Sequence, residues 1–243
     1  MKLEVALSPP EIDLLPQTDL EATVCVVFDV LRATSSIITA LAHDAGEIHP
    51  VCTIEEALAL RKRHPDALLC GERHGDRIDG FDLGNSPLEY LALAGKRIIT
   101  TTTNGTVALR ACEKAARVLV GSLLNVDAVT ALLAGTSPEK IMLVCAGTFR
   151  DLALEDVIAA GAICAILHGT AALNDSARVA MNIYKDYEND LLRGLKESGN
   201  GRALIAAGRG GDVEWCSQRA LYNLVGEMRS GAIHKAGDAS VRD

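Results

Sequence analysis

The residues able to do chemistry in this chain cluster where short apolar runs stop. "TVCVVFD" ends on Asp29, with Arg32, Thr34, Ser35 and Ser36 close behind. "LLCGER" ends on Glu72 and Arg73, and the loop after it carries Asp79, Asp82, Asn85 and Ser86. "RIITTTTNGT" ends on Asn104, Gly105 and Thr106, "RVLVGSLLN" on Asn125, and "IMLVCAGTFRDLALED" on Glu155 and Asp156. Ligands of open α/β sheets bind beyond the carboxyl ends of strands, where loops enter helix N-termini. Five such ends carrying polar groups predict one site assembled from several loops.

Each group has a functional and a plain reading. Asp29 is either a turn residue accepting backbone N–H groups or a ligand to Mg2+, whose hard charge prefers oxygen donors and keeps several waters. Asn-Gly is foremost a hairpin signal, but helix-like "VALRACEKAA" follows it here. That leaves Thr103 to Thr106 as a helix N-terminus that binds phosphate or sulfonate, or as a simple N-cap. Glu155 and Asp156 open a helix, where the macrodipole alone favours acids by about 0.3–1 kcal/mol. Adjacent helical residues point about 100° apart, so both do not readily hold one ion, and Asp156 is the favoured ligand. Glu72 leaves an apolar strand directly. Its neighbour Arg73 can clamp an oxyanion through two nitrogens. His74 is either solvated or a general acid.

Composition removes several classes. Hydrophobic residues make up 49% of the chain but aromatics only 3%, and the formal charge is −8. A nucleic-acid binder needs basic patches and stacking rings, so none is expected, and neither is a membrane span. Seven cysteines, an odd number without a C-x-x-C pair, read as reduced core residues of a cytoplasmic protein. No G-x-x-x-x-G-K-[ST] or G-x-S-x-G is present. "CAGTFR" places Arg150 one position too early for a cysteine-phosphatase loop, and Leu31 stands where D-x-D phosphatases need a second Asp. The six histidines form no close pair that would suggest zinc.

These residues need a scaffold, and the apolar pattern describes one. Strands are predicted at Lys2–Leu7, Thr23–Val30, Glu47–Val51, Ala67–Cys70, Arg97–Thr101, Arg117–Val120 and Lys140–Cys145. Helices are predicted between them at Thr34–His43, Ile54–His64, Pro87–Ala92, Val107–Ala115, Val126–Ala134 and Leu154–Leu173. Continuously apolar strands imply burial on both faces. The expectation is a single domain over 1–243: a three-layer α/β/α sandwich with a mostly parallel or mixed sheet. A helical C-terminal extension, about 174–243, should follow as Ser176–Lys196, Arg202–Ala207 and Val213–Val225. "GRGGD" should turn before the last helix, and "RSGAIHKAGDASVRD" should be a loose tail.

The segments "FDVLRATSSI", "GERHG", "GFDLGNSPLEY", "TTTNGT", "GSLLN" and "AGTFRDLALEDVIAAGAI", in this order over about Val24 to Gly161, resemble the 2-phosphosulfolactate phosphatase (ComB) family. The resemblance implies a three-layer α/β fold and Mg2+-dependent hydrolysis of (2R)-2-phospho-3-sulfolactate to sulfolactate and phosphate, a step of the coenzyme M route. It points to Asp29, Arg32, Thr34, Glu72, Arg73, Asp82, Asn85, Asn104, Gly105, Thr106, Glu155 and Asp156. His74 departs from the glycine of "GERGG", and "TFRDLALED" is more charged than the usual loop. Both departures bear on the substrate.

The expected mechanism has Mg2+ on Asp29, Glu72 and Asp156 or Glu155, with Asp82 as a further ligand. Arg32, Thr34, Ser35, Asn85 and the Asn104–Thr106 loop bind the phosphoryl oxygens, and Arg73 takes the substrate's second anion. Two alternatives stand beside it: a phosphatase for another phosphorylated hydroxy acid, and a non-catalytic small-anion sensor. The alanine-rich helices allow packing within one subunit or between two, as in a homo-oligomer.

Overall fold

The computed structural model describes residues 1–237. Among these described residues eleven strands run in chain order as β1 (Lys2–Ala6), β2 (Thr23–Phe28), β3 (Ile48–Pro50), β4 (Leu68–Arg73), β5 (Asp76–Arg77), β6 (Ile98–Thr101), β7 (Arg117–Gly121), β8 (Lys140–Cys145), β9 (Ala172–Leu173), β10 (Gly226–Arg229) and β11 (Ala232–Lys235). The helices are α1 (Pro9–Ile12), α2 (Ala33–Ala42), α3 (Ile54–Arg63), α4 (Gly105–Ala111), α5 (Val126–Thr136), α6 (Leu154–Leu167), α7 (Asp175–Tyr187), α8 (Leu191–Glu197), α9 (Gly199–Ala206) and α10 (Gly210–Cys216). Together they form an α/β sandwich on one mixed sheet, as the pattern predicts.

The sheet order is β5-β4-β6-β3-β11-β10-β7-β2-β8-β1-β9. One parallel block is β4, β6 and β3; the other is β7, β2, β8, β1 and β9. Between them stands the antiparallel hairpin β10–β11. Three antiparallel pairings reverse the second block relative to the first. In a flat sheet the carboxyl ends of the two blocks would therefore lie at opposite edges. They meet at one cleft instead, so the sheet twists and folds over across the hairpin. The joint there is narrow, with Ile48 and Ile233 the one residue pair shared by β3 and β11.

That hairpin corrects the expectation of a loose tail from Arg229. The turn Ser230–Gly231 has positive φ at both residues, 48° and 82°, the two-residue geometry that suits twisted hairpin strands. Residues 238–243 of the expected tail lie outside the described residues. Other boundaries shift for local reasons. The helix expected over Ser176–Lys196 breaks at Asp190, whose side chain accepts the Arg193 N–H and starts α8. The helix expected at Val213–Val225 ends at Cys216, and the one expected at Leu154–Leu173 ends at Leu167 before the short β9. Pro87–Tyr90 is a single 3-10 turn closed by a Ser86–Glu89 capping box.

Alternation in the strands divides the core. Val24, Val26 and Phe28 of β2 face a cluster under α5, α6 and α7, while Cys25 and Val27 face α2 and α4. All six β2 residues are buried, as continuous apolar strands require. A third cluster joins α3 to β4 and β6 around Leu69, Phe81 and Ile99. The seven cysteines are free thiols. No helix among the described residues is long and apolar enough to cross a membrane.

Candidate active site

A cleft of about 300 Å3 opens where the ends of β2, β4, β6 and β8 converge, and residues of the α8–α10 segment cover it. This lies at the low end of small-molecule sites, suiting a compact ligand. Asp29, Arg32, Glu72, Asn85 and Asn104 line it, as the sequence predicts. So do His74, Gly75, Asp76, Thr103, Thr148, Phe149, Asn200 and Arg209.

Asp29 bears out the plain one of its two readings and keeps one oxygen clear of the α2 entry. Its Oδ1 accepts the Ala33 N–H at the start of α2 (3.1 Å), so it is a turn residue. Its Oδ2 faces Gly105, where an added Cβ would lie 2.4 Å away; only glycine leaves room for the carboxylate. Burial, with Glu72 and Glu155 nearby, raises the Asp29 pKa to about 7, against the opposing pull of the Ala33 N–H and Arg32. Glu155 is 1% exposed. Asn200 donates to its Oε1 (2.6 Å), while its Oε2 has no hydrogen-bond partner among the described residues. Burial raises its pKa too.

Asp156, the favoured metal ligand of the sequence reading, is a backbone clasp. Its Oδ1 accepts the Val30 N–H (2.8 Å) and its Oδ2 the Gly147 N–H (3.0 Å), tying the loop after β2 to the loop after β8. Burial, then Glu155 and Asp29, push its pKa well up in spite of those bonds. Asp82 also leaves the expected metal set. It accepts the Leu69 N–H (2.8 Å) and pairs with Arg61 (3.1 Å), outside the cleft.

The hydroxyls after Asp29 turn inward, contrary to the expected phosphate contacts. Thr34 bonds the Asp29 main chain in both directions, and Ser35 and Ser36 donate to the Val30 and Asn85 carbonyls. A hydroxyl near a helix start bonds local backbone readily, which makes these residues builders of the α2 entry. Thr106 does the same at α4, exchanging bonds with Thr102. The carboxylate met by the "TTNGT" turn is internal: Thr103 N–H donates to Glu72 Oε1 (2.7 Å) and Gly75 N–H to its Oε2 (2.7 Å). Asn104 binds the Ala146 and Phe149 carbonyls and the Phe149 N–H, shaping the loop after β8.

Glu72 and Arg73 end strand β4, which is longer than predicted. Successive side chains on a strand take opposite faces. Glu72 faces the cleft, while Arg73 binds Thr101 Oγ1 (2.9 Å) and the Cys52 carbonyl on the other side. Arg73 is thus removed from the predicted anion clamp. Arg32 stays, 5% exposed, held by Asp212 (2.7 Å) and the Gly75 carbonyl (2.9 Å). Asp212 also accepts from Ser86 (2.5 Å).

Asn200, Arg209 and Asp212 were not among the predicted site residues. They come from the helical extension, more than 100 residues from Asp29, and no local motif marks them. The one signal was "GRGGD", an arginine and an acid among glycines; the turn expected over it is confined to Gly208 and Arg209, since Gly210 to Asp212 already open α10. Cys145 is no nucleophile: it is fully buried, and burial pushes its thiol well above the ordinary value.

Among the described residues no three His, Cys, Asp or Glu side chains gather closely enough to hold a metal between them. The predicted cage of three carboxylates does not form. What remains is Asp29 Oδ2 on the cleft and, buried behind the cleft lining, the orphaned Glu155 Oε2, while both Glu72 oxygens already accept backbone N–H groups. Such oxygen donors fit a hard cation like Mg2+, which commonly takes one or two carboxylates and completes its shell with water and substrate phosphate.

Buried acids facing a held guanidinium, at the strand ends of a helix-covered sheet, give the class first: an α/β enzyme for a small anionic substrate. The comparison with known families narrows it. The family described as 2-phosphosulpholactate phosphatase matches residues 11–231, so the chain belongs to the 2-phosphosulfolactate phosphatase family, by its name one of phosphoric monoester hydrolases. A relative from Thermotoga petrophila is 41% identical over 92% of this chain and 96% of its own. One from Deinococcus radiodurans is 40% identical over 93% and 95%, and one from Clostridium perfringens 38% over 96% of each. All three carry the name "Probable 2-phosphosulfolactate phosphatase".

Proposed function

We propose that the chain hydrolyses (2R)-2-phospho-3-sulfolactate to 3-sulfolactate and phosphate with Mg2+, the step used in coenzyme M synthesis. The substrate follows the names of the relatives. The observation that carries the metal is Glu155: a carboxylate oxygen buried without a partner, beside an Asp29 whose ionisation burial already opposes. Buried charges of one sign call for a compensating ion.

Asp29, with Glu155 behind it, would hold Mg2+, which when bound would polarise the phosphoryl oxygens and neutralise their charge. Arg32 is fixed by Asp212 and the Gly75 carbonyl before substrate arrives. Its guanidinium therefore meets the charge that spreads over the phosphoryl oxygens without reorganising. Asn104 holds the loop after β8 against the cleft, and Asn200 links that loop, through Thr148, to Glu155 (2.6 Å to each). Ala203, Leu204 and Ala207 of the extension line one side of the cleft.

Phosphate release is measured on phosphosulfolactate, 2-phospholactate and 3-phosphoglycerate with Mg2+ and with EDTA. Mg2+-dependent release favouring the sulfonate is expected. Equal release from all three would discard the named substrate but keep the phosphatase. Mg2+-dependent binding without release from any ester would make the chain an anion sensor.

A further inference from the structure

With Arg73 turned away, the site lacks its expected partner for a second anionic group. Two guanidinium groups remain on the cleft, Arg32 and Arg209, and both also line an adjoining cleft of about 340 Å3. They converge on one atom. The Gly75 carbonyl accepts from Arg32 Nη2 (2.9 Å) and from Arg209 Nη1. Two like charges sharing one carbonyl repel, so the arrangement favours anions beside it.

The two arginines are neutralised differently. Arg32 pairs with Asp212, and both side chains are 5% exposed; that pair is locked. Arg209 is 34% exposed, and its partner Asp76, at 2.7 Å, is 80% exposed. An ion pair so open to water contributes little. Asp76 can therefore leave Arg209 to a ligand's anion at small cost, whereas Asp212 cannot leave Arg32 so cheaply. Arg209 also sits in the glycine-flanked turn between α9 and α10, with Gly208 at φ 77°.

We propose that Arg209 is the specificity-determining residue that binds the substrate's sulfonate, while Arg32 serves the phosphoryl group. The proposal rests on the reading of the substrate as a 2-phospho-3-sulfo acid. A guanidinium is weakly hydrated and presents a planar fork of donors, which suits an anion with three equivalent oxygens. On this account the sheet provides the chemistry and the helical extension selects the substrate.

The test is binding of the product 3-sulfolactate, compared with lactate, by calorimetry on the full chain with Mg2+. Lactate keeps the carboxylate and lacks the sulfonate. Wild type should prefer sulfolactate, and Arg209→Gln should lose about tenfold to a hundredfold in sulfolactate affinity while its lactate affinity stays unchanged. Asp76→Asn removes the competing carboxylate and should tighten sulfolactate binding, a gain that misfolding does not produce. A wild type without preference for sulfolactate overturns the proposal. So does equal loss of both ligands in Arg209→Gln, or unchanged sulfolactate affinity. Phosphate release is followed on the same preparations. A wild type that binds sulfolactate through Arg209 but releases no phosphate would refute the hydrolase reading alone.

Discussion

Asp29→Asn should stabilise the metal-free protein while removing its activity. The carboxyl of Asp29 has a pKa of about 7 in the fold against 3.8 for an ordinary aspartate. Below pH 3.8 it is protonated in both folded and unfolded chains and costs nothing. Between 3.8 and about 7 the folded chain holds the proton and the unfolded chain does not, so stability falls as pH rises. Above about 7 the whole cost is present. That rise corresponds to about 4 kcal/mol, and because the charges of Glu72 and Glu155 supply part of it, about 2–4 kcal/mol is expected. Asparagine keeps an oxygen for the Ala33 N–H and carries no charge. For a chain of this length each kcal/mol moves the melting temperature by about 2–4 °C, so in EDTA at pH 8 the variant should melt roughly 5–15 °C above wild type. At pH 4.5 the difference should shrink to about 1 kcal/mol. Saturating Mg2+ should raise the wild-type melting temperature and leave the variant's unchanged, and the variant's turnover should fall by at least about a hundredfold. Scanning calorimetry at both pH values, with and without Mg2+, measures all of this. A variant no more stable than wild type at pH 8 in EDTA, or a difference that does not change with pH, would refute the reasoning.

Two further substitutions probe the arginines. Asp212→Ala leaves Arg32 buried without its carboxylate and should cost about 3–5 kcal/mol in urea unfolding, with kcat falling as the guanidinium loses its position. Arg73→Gln removes bonds to Thr101 and the Cys52 carbonyl on the far face of β4, so about 1 kcal/mol of stability should go while kcat/KM stays within about threefold of wild type.

Local order was legible along most of the chain because it depends on neighbours in sequence. Apolar runs such as "TVCVVF" and "KIMLVC" mark doubly buried strands, and both occur where the pattern puts them. The hairpin at Ser230–Gly231 carried a readable turn signal too, but its place between the two parallel blocks did not follow from it. Strand order depends on which edges remain unpaired once the rest of the sheet has formed.

The candidate site divides along the same line. That Asp29, Glu72 and Asn104 stand at strand ends was visible in the sequence, since a polar residue closing an apolar run has few other places to go. Which oxygen is free and which is taken was not. Thr34, Ser35 and Asp156 have the right chemistry for phosphate or metal, yet nearby backbone groups claim their oxygens and leave Glu155 with the orphan. Glu72 and Arg73 differ by one position, and the two-residue period of the strand sends one into the cleft and the other behind it. Asn200, Arg209 and Asp212 reach the site only because the extension folds back over it. Residue order alone specifies the chemistry on hand and the elements that carry it. The tertiary structure decided which of those groups face one another, because hydrogen-bond competition and strand pairing are settled only when distant segments meet.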